Sequence, residues 1–197
     1  MRLLLASKSA TRRRMLEAAG VPFGTAEAEF DEESAKAELR AGRVGAAELA
    51  LALAKAKALA VDAGPEALVL GSDQVLEQED GSVLDKAGSR SELAQQLRSL
   101  RGRPHQLHSA AVAVAAGKPV WQGTETATLH MRHFSDAFLE AYLDRDYDEV
   151  RWSVGGYHAE GRGAQLFERI EGSHFAVLGL PLLPLLEYLR ERGILPV

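Results

Sequence analysis

The apolar run RLLLA at residues 2–6 stops abruptly at SKSATRRR, and a helical pattern follows that closes on Gly20. Five residues are too few for a buried helix but suit a buried strand. Ser9 is a natural N-cap for the helix, which carries Met15, Leu16 and Ala19 on one side, and Gly20 takes its C′ position. A strand, a polar loop and a helix in immediate succession point to an α/β fold. The same opening contains a conflict. Arg12, Arg13 and Arg14 sit in the first turn of a helix, where the macrodipole is already positive. Local rules are broken in this way where a functional site overrides them, and the stretch by itself equally suits a solvated basic turn.

Further elements can be read along the chain. Residues 21–34, VPFGTAEAEFDEES, form an irregular acidic connection. An Ala/Leu-rich helix is expected from about Gly45 to Val61, with Leu49, Leu53, Ala56 and Ala60 as its apolar stripe. Lys57 flanks that stripe, whereas Lys55 points away from it. A second buried strand, ALVL at 67–70, runs into GSDQV, and an acidic hairpin, EQEDGS, leads on to VLDKAGS. Residues 91–100 form a helix. Strands at 105–116 and 120–134, joined by Gly117-Lys118-Pro119, make a β-hairpin. Ser135 caps a helix through Leu143, the glycine-rich stretch 153–175 is irregular, and a helix follows LGLPL. No repeat or linker divides the 197 residues, so residues 1–197 are read as a single unit.

Composition narrows the function. Lys plus Arg number 23 against 28 Asp plus Glu, a formal charge of −5. That argues against a general nucleic-acid binder, which must neutralise many phosphates. Three clustered arginines on an acidic chain mark a small anion site instead. The chain has no cysteine, which excludes disulfides, thiolate zinc sites and cysteine nucleophiles. No apolar run approaches the roughly 20 residues of a membrane span, and the first residues lack a signal-peptide pattern. A cytoplasmic location is expected.

Three polar clusters lie at or just after the ends of apolar strands, where open α/β sheets bind ligands. They are Ser7–Arg14, Ser72-Asp73-Gln74 and Asp85-Lys86. A loop entering a helix offers free backbone N–H groups for phosphate oxygens, with Ser7 and Ser9 as hydroxyl donors and Arg12 as a bidentate one. Arg12 shares a side with Met15 and Leu16 and should point inward. Arg13 stands beside Glu17 and is read as auxiliary, and Arg14 as solvated. Asp73 follows four apolar residues and a glycine, so its carboxylate must be paired, metal-bound or functional. Glu32 or Glu33 would complete an oxygen set for Mg²⁺ or Mn²⁺, and Lys57 and Lys86 would balance the charge of a triphosphate. The set suits phosphoanhydride hydrolysis, with a carboxylate orienting or deprotonating water. His105 and His108 lie in a strand, where a spacing of three places them on opposite faces, so a metal pair is not expected. Trp121 and Trp152 are read as packing residues rather than base-stacking platforms.

In order, S-x-S-x-x-R, the DE pair, LALAKAKA, GSDQV, DK and EGRGAQLFERIEG…GLPL resemble the Maf family of nucleoside triphosphate pyrophosphatases over nearly the whole chain. The resemblance implies an elongated mixed β-sheet flanked by helices, with two lobes and a central cleft. It also implies hydrolysis of a nucleoside triphosphate to monophosphate and diphosphate with Mg²⁺ or Mn²⁺, in a protein that is often a homodimer. By motif, Ser7, Ser9 and Arg12 would bind phosphate, Glu32, Lys57 and Lys86 would join the metal–triphosphate cluster, and Asp73 would face the metal and accept the proton. Positions that set base preference fall on Thr11, Gln74 and Glu160, and Gln74 with Glu160 is similar to the subfamily acting on 7-methyl-GTP. A glutamate can accept from guanine N1–H and N2–H₂. The chain departs from the pattern at Ala10, where proline is usual, at Thr11, where tryptophan or arginine is, and at Ala87. The family's link to septum formation leaves an alternative, a non-catalytic nucleotide- or nucleic-acid-binding regulator.

Overall fold

The computed structural model describes residues 1–42 and 44–197. Its centre is a seven-stranded mixed sheet built from β1 (Arg2–Ala6), β2 (Gly24–Thr25), β3 (Ala67–Gln78), β4 (Val83–Leu84), β5 (Pro104–Ala115), β6 (Lys118–Met131) and β7 (Phe167–Glu171). The order across the sheet is β2-β1-β3-β5-β6-β7, with β4 pairing β3. β1 runs parallel to β2 and β3, and every other pairing is antiparallel. Helices α1 (Ala10–Ala18), α2 (Glu32–Ala41), α3 (Ala46–Leu59), α4 (Arg90–Leu100), α5 (Asp136–Val150), α6 (His174–Val177) and α7 (Leu182–Glu191) surround it.

The faces of β3 follow the two-residue alternation of a strand. Leu68 and Leu70 pack with Leu3, Leu5, Leu16 and the α7 leucines on one side. Val69 and Val75 pack with Leu49, Leu53 and Ala54 of α3 on the other. Gly71 allows α3 to lie this close, because a Cβ there would come within 2.1 Å of the Ala54 carbonyl oxygen. A third core forms where α4 and α5 cover β5 and β6, around Leu97, Leu107, Leu129 and Leu143.

Several elements differ from the sequence expectation. β3 does not end at Leu70 but continues to Gln78, because β5 pairs with it along its whole length, from Leu68↔Ala115 to Gln78↔His105. Residues 32–34, read as the end of an irregular connection, instead begin α2, which runs on to Ala41 and is capped by Asp31 accepting from Ser34 N at 3.1 Å. The buried face of α3 is Leu49, Ala50, Leu53, Ala54 and Ala58, with Ala56 and Ala60 at its margin. The β5–β6 turn is Ala116-Gly117, not 117–119. Both residues have positive φ (48° and 71°), the two-residue geometry that matches strand twist, so Lys118 and Pro119 belong to β6. α5 extends past Leu143 because Val150 is also buried. The segment 153–175 is partly regular, with a 3₁₀ turn (Arg162–Leu166), β7 and the start of α6.

Candidate active site

The register of the sheet creates an opening beside β3. β1 leaves its edge after Ala6↔Gly71, and β4 joins only at Leu76↔Leu84, while β5 holds the opposite edge throughout. Residues 72–75 therefore have a free edge, just beyond the carboxyl end of β1, where ligands enter open α/β sheets. A cleft of about 850 Å³ lies there, reaching from the 7–12 loop to residues 149–160. Ser7, Ser9, Thr11, Arg12, Glu32, Lys57, Asp73, Gln74, Lys86 and Glu160 all line it. Every site residue expected from the sequence is thus gathered into one cavity.

The loop after β1 is shaped by its own serines. Ser9 caps α1 by accepting from Arg12 N at 3.3 Å, and Ser7 Oγ accepts from Ser9 N at 3.3 Å. Arg12 turns inward with only 9% of its surface exposed. Its Nε donates to the Gly179 carbonyl at 2.7 Å and its Nη1 to Ser7 Oγ at 3.3 Å. Both acceptors are neutral. Burial lowers the guanidinium's affinity for its proton, and Asp73 and Glu32 partly oppose this from a distance. Gly179, with φ of 100°, turns its carbonyl toward the loop, where Ser72 Oγ also donates to it at 3.1 Å.

On the α3 face of β3, Asp73 is 7% exposed and is met by Lys57, whose Nζ lies 2.7 Å from Asp73 Oδ1 and 2.9 Å from Glu32 Oε2. Strand alternation puts Asp73 on the same side as Gly71, so the close approach of α3 is what delivers Lys57. One ammonium thus joins a carboxylate from α2 to one from β3. Burial by itself would raise the Glu32 carboxyl, but Lys57, Lys86 and Lys36 outweigh it and hold the group below its ordinary range. Of the two glutamates left open by the sequence, Glu32 makes this bridge, while Glu33 lines the cleft without an ion pair among the described residues. The same residues hold no group of three His, Asp or Glu side chains spaced for a metal.

The Asp85-Lys86 pair divides its work. Asp85 is bound by Lys36 and by both terminal nitrogens of Arg40, at 2.7 and 3.1 Å, and so ties α2 to the end of β4. Burial tends to raise its carboxyl, and Arg40 and Lys36 pull it below the usual value. Lys86 is exposed at the cleft. Gln74 lies on the opposite face of β3 from Asp73. Its amide nitrogen is committed to Ser109 Oγ at 3.0 Å and to the carbonyls of Ala176 and Val177 at 2.9 and 3.1 Å. Only its oxygen is left for a ligand.

Arg14, read as solvated, is exposed as expected, and it also lines the cleft, where its Nη2 donates to Thr11 Oγ1 at 3.5 Å. Arg13, taken as auxiliary, is exposed and does not line it. The i,i+3 relation between Thr11 and Arg14 was the available signal. Trp121 is a packing residue, stacked on Tyr188 with centroids 5.4 Å apart, but Trp152 is 68% exposed and lines the cleft. His105 and His108 lie in β5, a strand as expected. His105 bonds Tyr157 Oη at 2.6 Å, and His108 bonds Thr126 and Glu77.

The chain is similar to known proteins over nearly its whole length. The chain is 45% identical over its full length to a nucleoside triphosphate pyrophosphatase of Sphingopyxis alaskensis, all of which is covered. It is 46% identical over 98% of its length to one from Caulobacter vibrioides, covering 96% of that protein. With one from Maricaulis maris it shares 48% over 98% of each chain. The Maf-like protein family matches residues 2–192. With the loop, the bridged carboxylates and the cleft described above, the chain belongs to the Maf family.

Proposed function

We propose that the protein hydrolyses a nucleoside triphosphate to the monophosphate and diphosphate. The observation that carries this is the Lys57 bridge between Asp73 and Glu32, in the same cleft as a buried arginine whose hydrogen-bond partners among the described residues are neutral. The relatives' shared name, nucleoside triphosphate pyrophosphatase, supports the same activity. Arg12, Ser7, Ser9 and the N–H groups entering α1 hold the phosphates, with Lys57 and Lys86 adding countercharge. Asp73 orients the attacking water and takes its proton as the α-phosphorus–oxygen bond to diphosphate breaks.

The donor set fits a hard divalent cation. Glu32 and Asp73 already converge on one positive charge, and Mg²⁺ is commonly held by one or two carboxylates with substrate phosphates and water completing its shell. Bound there, Mg²⁺ or Mn²⁺ would neutralise charge developing on the phosphate oxygens.

For the base, the reading favours guanine or 7-methylguanine. Glu160 lines the cleft as an exposed carboxylate able to accept from N1–H and N2–H₂, and a positive charge at N7 strengthens that interaction. Gln74 contributes less than its sequence position implied, since its amide nitrogen is spent on Ser109 and the carbonyls of Ala176 and Val177.

The test is diphosphate release from 7-methyl-GTP, GTP, UTP, dTTP and ITP with Mg²⁺ or Mn²⁺. Release is expected from at least one nucleotide, fastest with the guanine substrates. Asp73→Asn should lower the rate about a hundredfold or more, the usual contribution of a general base. Undiminished release in that variant refutes the role of Asp73, and equal rates across the panel refute the role of Glu160.

A further inference from the structure

We propose that Trp152 is the stacking platform for the nucleobase of the substrate, a role that rests on the nucleotide reading above. Trp152 follows the C-terminal end of α5. The guanidinium of Arg151 lies 4.7 Å from the indole centroid and 5.1 Å from the ring of Tyr147. Arg151 therefore lies over both rings, with its charge at a helix C-terminus, where the dipole favours it. That stack holds one face of the indole. The side chain is still 68% exposed, and it lines the cleft.

A large aromatic ring with an open face on a cavity wall offers a flat surface on which another ring can stack. The same cavity also offers Ser7, Ser9 and Arg12, the features of a phosphate cradle. A ligand that occupies both parts of the cavity therefore has anionic groups for the cradle and a flat apolar ring for the indole. Glu149, one helical turn before Trp152, and Glu160 also line the cavity. Ionised carboxylates only accept hydrogen bonds, so the ring they suit is one whose edge donates, as an amino- or imino-bearing base does. A cavity of about 850 Å³ is in the range of sites that enclose ligands of this size.

Trp152 and Trp121 are the chain's two tryptophans, so Trp121→Phe leaves Trp152 as the sole indole reporter. In that background GMP should quench the fluorescence saturably, and tripolyphosphate, which has no base, should not. In kinetics with GTP, Trp152→Ala should raise KM about tenfold with kcat within about twofold, since stacking on an aromatic contributes on this order per base. Tripolyphosphate should inhibit wild type and Trp152→Ala equally, and Trp152→Phe should recover most of the loss. The proposal is overturned if GMP leaves the fluorescence unchanged, if KM is the same in both proteins, or if tripolyphosphate inhibition weakens as much as nucleotide binding. The quench needs no turnover, so absent hydrolysis counts against the enzymatic reading and not against the platform.

Discussion

Replacing Arg12 by methionine separates a residue kept for binding from one kept for folding. Arg12 is buried, and its direct partners are the Gly179 carbonyl at 2.7 Å and Ser7 Oγ at 3.3 Å. Hydrogen bonds from a charged group contribute about 1.5–3 kcal/mol. Against that stands the cost of holding a cation out of water, several kcal/mol after relaxation. Methionine fills a similar volume and removes both terms, so the ligand-free variant should lie within about 1 kcal/mol of wild type or be more stable. Diphosphate changes the comparison. At a concentration about 100 times Kd it should stabilise the wild type by about 2.7 kcal/mol. For a chain of this size that is a rise in Tm of about 5–10 °C. Losing the guanidinium removes the charge-assisted bonds to the anion and should weaken binding about a hundredfold, which leaves a shift near 1 °C. Thermal unfolding followed with and without diphosphate reads both quantities. The reasoning fails if Arg12→Met shows the full diphosphate shift, or if it loses more than about 3 kcal/mol without ligand.

Two further outcomes follow from other parts of the molecule. Burial, with a smaller contribution from His130, pushes His105 down to about 4 from an unfolded value near 6.5. The unfolded chain therefore takes up a proton that the native state refuses, and stability is full above about pH 6.5 and lost as pH falls toward 4. The loss between pH 7 and 5 should be about 2 kcal/mol by urea unfolding, and His105→Gln should lack it. Gly71→Ala would drive a methyl group into the Ala54 carbonyl, at 2.1 Å, and toward Ala58 N, at 2.7 Å. α3 must retreat and take Lys57 with it, so urea unfolding should show a loss of about 3 kcal/mol, and the remaining folded protein should release diphosphate more slowly.

What the sequence disclosed about fold and site was local. The Ser9 cap, the inward turn of Arg12 and the different directions of Lys55 and Lys57 follow from helix geometry within one or two turns. What it concealed was set by distant partners. α2 buries none of its residues fully: Ala35 and Leu39 pack partly against the α3 core, and Lys36 and Arg40 bind Asp85, 45 positions from Arg40 in sequence. One Ala–Leu pair at i,i+4 is too short an apolar pattern to mark a helix by itself. The extension of β3 through Ser72, Asp73 and Gln74 depends on β5, so residues that look like a loop form a strand with one open edge. The commitment of the Gln74 amide to Ala176 and Val177 is likewise invisible without the tertiary contact, as is the exposure of Trp152.

The Gly179 carbonyl is the meeting point of three distant parts of the chain. Arg12 reaches it across 167 positions and Ser72 across 107. Contacts that distant in sequence form late, after many shorter loops have closed. During synthesis the 7–12 loop therefore emerges long before the carbonyl that orients its arginine. A nascent chain shorter than about 180 residues has the residues of an anion site but not the site, so the ability to cut a phosphoanhydride should appear only with the finished fold.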